Sequence, residues 1–102
     1  MTRLLPSAVG VLVLLAAVGG ASAADDIQAG KAKSGACAAC HGLQGQGVGS
    51  NVALAGKSEA EIVRALQDFK FGKRAATVMK PLAGMLSDQD MANLGAFYAS
   101  LK

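Results

Sequence analysis

Apolar residues follow a helical rhythm in the second half of the chain. Ile62, Leu66 and Phe69 fall at i, i+4 and i+7 and make one stripe. Met91, Leu94, Phe97 or Tyr98, and Leu101 make another. Each stripe has a start signal. Ser58-Glu59-Ala60-Glu61 reads as a capping box with Ser58 at the N-cap and Glu61 at N3. Ser87-Asp88-Gln89-Asp90 opens the second helix with Ser87 as cap. The first of these helices is expected to end between Lys70 and Gly72, where a basic last turn meets a glycine. A third helix is expected over Ile27 to about Ala39, weakened by Gly30 and Gly35. Between them lie a glycine-rich loop over 42–56 and a stretch over 73–86 expected to be irregular, with Pro81 disfavouring helix before it. No alternation of period two, no repeat and no linker is visible, so the pattern predicts an all-α domain.

The N-terminus has a different pattern. Met1-Thr2-Arg3 is a short positive region, Leu4 to Gly20 is almost wholly apolar, and Ala21-Ser22-Ala23 reads as an A-x-A cleavage site before Asp25-Asp26. This is the layout of a cleaved secretory signal over residues 1–23, placing the domain at 24–102 in the periplasm. The competing reading is an uncleaved anchor. The run is short for a span and ends in small residues rather than charged stop-transfer residues. No stable membrane insertion is expected after the cut.

Composition matters once that segment is set aside. The remaining chain has three Phe, one Tyr and no Trp. A domain this small is marginal on its own core and commonly needs a staple or a cofactor. The formal net charge of +3 for the whole sequence is weakly positive and gives no reason to expect a nucleic-acid partner.

The staple is indicated by Cys37-Ala38-Ala39-Cys40-His41. C-x-x-C-H is the attachment sequence of a c-type haem. Two thiols three residues apart lie on one side of a helical turn, where both can add to the vinyl groups on one haem edge. The next residue, His41, can offer the iron a proximal nitrogen. A redox disulfide would call for a strand before the motif. A structural zinc site would need a fourth ligand beyond these two cysteines and the chain's one histidine. If both cysteines form thioethers, no disulfide is expected. A sixth iron ligand has to be a methionine of the loop before the last helix. Met79 and Met85 both qualify by residue chemistry, whereas Met91 falls on a helix face and reads as core.

Taken together, the chain after the signal resembles a small class I cytochrome c, and one half of the bacterial di-haem respiratory cytochromes. The matching pieces are Cys37 to Gly42, Leu54-Ala55-Gly56, Gln67-Asp68-Phe69-Lys70 with Gly72 and Arg74, and Leu86-Ser87-Asp88-Gln89-Asp90 through Ala96-Phe97-Tyr98. The resemblance implies three to four short helices and long loops wrapped around one covalently bound haem. It implies attachment through Cys37 and Cys40 and iron ligation by His41 and Met79, because the family's methionine precedes the serine of the Leu-Ser-Asp element by eight residues. It also implies that Gly30 packs against Phe97 or Tyr98. One departure stands out. Residues 42–57 contain no proline, and Val52 stands where one commonly precedes the Leu-Ala-Gly element. The carbonyl that accepts the histidine proton is then expected from Gly47 to Asn51.

A filled coordination sphere implies an electron carrier, not an enzyme, that meets donor and acceptor proteins through an exposed haem edge, and a monomer is expected. Lys57, Lys70, Lys73, Arg74 and Lys80 are the candidate basic ring around that edge. The alternatives are a haem-bearing subunit of a larger periplasmic oxidoreductase and, with a labile methionine, a ligand sensor or enzyme.

Overall fold

A computed structural model describes residues 22–101 together with Gly10. The expected signal over residues 1–23 therefore lies almost wholly outside the described residues. Five helices follow in order: α1 Ala23–Lys33, α2 Gly35–His41, α3 Glu59–Lys70, α4 Met79–Gly84 and α5 Asp88–Ser100. No helix among the described residues is long and apolar enough to cross a membrane.

The two best-marked helices start where their caps put them. Ser58 Oγ accepts the Glu61 N–H at 3.1 Å. The return arm of the expected box differs, since the Ser58 hydroxyl donates to the Glu61 carboxylate instead of that carboxylate accepting the Ser58 backbone N–H. Ser87 makes the complete box. Its Oγ accepts the Asp90 N–H at 3.0 Å, and Asp90 Oδ2 accepts the Ser87 N–H at 3.0 Å. That bond, with Lys33 3.5 Å away, holds the Asp90 carboxyl below its ordinary value. The other end of α3 falls at Lys70, and Gly72 turns the chain at φ +72°.

Two expectations fail. The single helix over Ile27 to Ala39 is two helices, the first starting earlier, at Ala23, with Ser22 in a capping box. The break is at Ser34, which is buried. Its Oγ and its N–H both donate to the Lys31 carbonyl, at 2.7 and 3.2 Å. A serine that bonds back to the preceding turn competes with helix continuation, and Ala38 then starts α2 on the Ser34 carbonyl at 2.9 Å. The second failure is the 73–86 stretch, which contains α4. Pro81 sits in the first turn of that helix. There its missing N–H would have had no intrahelical partner, so it removes nothing.

Packing joins the ends of the domain. α5 packs along α1 and across α3, and α4 packs on α3. The fully buried apolar side chains are few: Ile62, Leu66, Ala83, Met91, Leu94, Phe97 and Tyr98. Met91 is core, as expected. Phe97 and Tyr98 are both buried, with ring centroids 5.0 Å apart, and they divide the two expected roles. Phe97 meets Gly30 at the α1–α5 crossing, and Tyr98 lines the interior cavity. A Cβ on Gly30 would lie 2.6 Å from the Asn93 carbonyl carbon and 2.7 Å from Phe97 Cβ. The loop 42–57 is fixed on the same helix. Gly45, at φ +62°, presses on the Tyr98 ring and its carbonyl accepts the N–H groups of Leu54 and Ala55 at 2.7 and 2.9 Å.

Two outcomes are expected in denaturant titrations of the haem-loaded protein. Gly30→Ala forces backbone from backbone and costs about 3 kcal/mol, at the upper end of overpacking effects. Asp90→Asn acts through pH. A carboxyl whose folded value is depressed contributes stability above its unfolded value of 3.8 and loses it as pH falls through the folded value. Stability measured downward from pH 5 therefore falls less steeply in Asp90→Asn than in the parent.

Candidate functional site

The five helices leave a cavity of about 690 Å³ between α2, α3, α4, α5 and the loop before α3. Its lining is mainly apolar: Ile62, Leu66 and Phe69 from α3, Leu82 and Ala83 from α4, and Leu94 and Tyr98 from α5. That volume lies within the range of small-molecule and cofactor sites.

All four residues singled out in the sequence line this one cavity. Cys37, Cys40 and His41 come from α2, and Met79 is the first residue of α4. The two cysteines are one turn apart, Cys37 half-buried and Cys40 exposed. Burial pushes the Cys37 thiol above its ordinary value, and the neighbouring Tyr98 hydroxyl partly offsets this. Met85 also reaches the cavity but is 72% exposed, whereas Met79 is half-buried and packs against the core. Among the described residues no cluster of three or more His, Cys, Asp or Glu side chains could hold a metal ion, which leaves the zinc reading without its ligands.

His41 is oriented from behind. Its Nδ1 is 2.7 Å from the Val52 carbonyl. A carbonyl only accepts, so Nδ1 carries the proton and Nε2 keeps its lone pair. Sequence reasoning placed the acceptor between Gly47 and Asn51, one residue short. The partner is Val52, the residue that stands where the resemblance leads us to expect a proline. Proline and valine offer the same carbonyl, so the change of residue leaves the bond intact. The loop is pinned by the Gly47 N–H on the His41 carbonyl at 2.8 Å and by a Val48–Asn51 bridge of two backbone bonds.

Lys57 and Arg74 line the cavity, but Lys70, Lys73 and Lys80 do not. Lys33 and Arg64 do, opposed by one carboxylate, Glu61. Spacing carried no signal for them: Arg64 is two residues from both Ile62 and Leu66, which is off their stripe, and the break at Ser34 separates Lys33 from the helix of Cys37.

These residues fit a haem. The lining is apolar enough for a porphyrin, two thiols stand one turn apart at its edge, and an imidazole is fixed with its lone pair free. The Tyr98 hydroxyl, beside Cys37 and Ser34, is buried with no hydrogen-bond partner, the sole such side-chain atom among the described residues. Desolvation pushes it far above its ordinary value, so it stays a neutral donor.

Comparison with known proteins agrees. The family model described as Cytochrome c matches residues 27–102. The chain is 42% identical to a cytochrome c4 of Pseudomonas aeruginosa over 92% of its own length and 47% of that protein's. It thus spans about half the length of the cytochromes c4 that it matches. Shorter relatives are matched almost end to end. A cytochrome c-554(547) of Halothiobacillus neapolitanus is 42% identical over 78% of this chain and all of its own. A cytochrome c-554(548) of Halomonas halodenitrificans is 38% identical over 76% of this chain and 98% of its own. Cys37 and Cys40 are thus spaced to carry one covalent haem c, and the chain belongs to the cytochrome c family.

Proposed function

We propose that this protein is a monomeric periplasmic electron carrier, exported by a signal over residues 1–23, in which His41 and Met79 hold the iron of the haem. The reading rests on one observation: His41 on α2 and Met79 on α4 line the same apolar cavity as the cysteine pair. A c-type haem supplies a one-electron couple between ferric and ferrous iron.

The chain's own residues then decide how that couple is used. Val52 fixes the His41 ring and its tautomer, and a hydrogen bond to the far nitrogen of a ligating histidine makes it a better donor. A neutral thioether from Met79 favours the reduced state and raises the potential. With both positions taken, no coordination site is left for oxygen, peroxide or substrate, which supports a carrier over an enzyme or a ligand sensor. Ile62, Leu66, Phe69 and Leu94 keep water from the site. Cys40 is exposed, and with Lys33 and Arg74 paired to Asp90 and Asp68, Lys57 and Arg64 against Glu61 leave the rim a slight positive balance suited to an acidic patch on a partner. Such an encounter weakens as salt rises.

A second reading has one observation in its favour. Because the chain spans 47% of a cytochrome c4, the same domain serves as part of a longer protein in those relatives. Here it would act as the haem-bearing part of a larger periplasmic oxidoreductase.

Two experiments test the site. Replacing Cys37 and Cys40 together by Ala should leave haem that acidified organic solvent extracts, while the parent keeps its haem through denaturing electrophoresis. Met79→Ala should abolish the low-spin methionine-ligated spectrum and let the reduced protein bind carbon monoxide, while Met85→Ala changes neither. The reverse result assigns the ligand to Met85.

A further inference from the structure

The segment that carries Met79 is weakly held by its own contacts. It leaves α3 at Lys70 and rejoins the core at Leu86, just before the Ser87 cap of α5. Phe71 and Val78 within it are 67% and 60% exposed. Its helix α4 has six residues and no side-chain cap at Val78. Ala83 is its one fully buried residue. The entry side is tied by the Lys73 and Arg74 N–H groups on the Asp68 carbonyl, at 2.8 and 3.2 Å.

At the far side one contact stands out. Lys70 Nζ donates to the Leu86 carbonyl at 2.7 Å, in a half-buried position. Among the described residues this is the one side-chain hydrogen bond from α3 to the chain beyond α4. A charged donor makes it stronger than a neutral bond of the same length. It closes the 70–86 segment into a loop whose two ends are anchored in α3 and α5, both parts of the buried core. Lys70 does not line the cavity.

We propose that Lys70 is a positioning residue: its ammonium, bonded to the Leu86 carbonyl, clamps the segment carrying Met79 and sets how often that sulfur leaves the iron. The inference rests on the reading of Met79 as the axial ligand. Lys70 lies outside the cavity lining and acts through the Leu86 carbonyl, its ammonium also lying 6.0 Å from the Phe71 ring centroid.

The test uses ferric haem-loaded protein with imidazole as the probe. Imidazole binds iron only when the methionine is off, so its apparent dissociation constant falls as the open fraction rises. The readout is loss of the far-red charge-transfer band of methionine-bound ferric haem. Lys70→Leu should lower the apparent constant about tenfold, the scale of a lost charged hydrogen bond. Lys70→Arg should stay near the parent, and Lys73→Leu, which removes a neighbouring exposed charge, should not change it. Amide hydrogen exchange adds a structural readout. Lys70→Leu should speed exchange over 82–86 while the amides of Ile62 and Leu66 keep their protection.

Unchanged imidazole affinity in Lys70→Leu, an equal gain in Lys73→Leu, or uniformly faster exchange in all helices would each overturn the clamp. Should Lys70→Leu not fold, Lys70→Gln keeps a neutral donor and must show a smaller gain in imidazole affinity; parent-like affinity overturns the clamp. The ligand reading fails separately. A parent without the band, or a Met79→Ala variant that keeps it, refutes Met79 and leaves the exchange result to judge the clamp.

Discussion

The centre of this domain is space, and what fills that space is the condition for everything around it. Five of the seven buried apolar side chains, Ile62, Leu66, Ala83, Leu94 and Tyr98, line a cavity of about 690 Å³. A chain of this size sheds too little surface on folding to be secure without help. A flat, apolar, covalently tethered ring is the help that these residues suit. It lets α3, α4 and α5 bury their faces on something other than each other, and it explains why so much of the chain is loop. Because the tether is covalent, the ring belongs to the unfolded chain as well, and folding closes the helices around a group already attached.

The position of the ring follows from which residues cannot move. α2 is seven residues long and has no buried side chain of its own. It is held by the Ser34 break behind it and the glycine loop ahead of it. Val52 fixes the imidazole, Gly45 fixes Val52's loop against Tyr98, and Tyr98 belongs to the helix that crosses α1. The His41 ring is thus oriented through a chain of contacts that begins at Gly30. Glycine at Gly30 and Gly45 is required by close approach, which is a constraint of space before it is one of chemistry.

Local signals in the sequence were enough for much of this. Ser58 and Ser87 placed α3 and α5 because an N-cap serine acts on amides within its own turn. C-x-x-C-H placed the haem because the chemistry itself is local. What escaped was set by longer range or by competing rules. Pro81 was read as a breaker, yet in a first turn it costs nothing. Ser34 divided one expected helix because its hydroxyl reached back to Lys31, which composition does not reveal. The histidine's acceptor lay at Val52, just past the expected stretch, because a backbone acceptor carries no side-chain signature. Arg64 and Lys33 joined the cavity rim by the angle of their helices, which no spacing rule ranks above Lys70 or Lys80.

The pairing of α1 with α5 has a consequence for how the molecule is made. Those helices are the first and last of the described fold, so the contact that locks it joins the most distant parts of the chain. Such contacts close late, since loop entropy is lost before they repay it. A polypeptide delivered with its N-terminus first exposes Cys37 and Cys40 well before α5 exists to cover Tyr98 and the cavity. The thiols are therefore open to chemistry until the α1–α5 contact closes, and the topology itself provides the interval in which a haem can be joined.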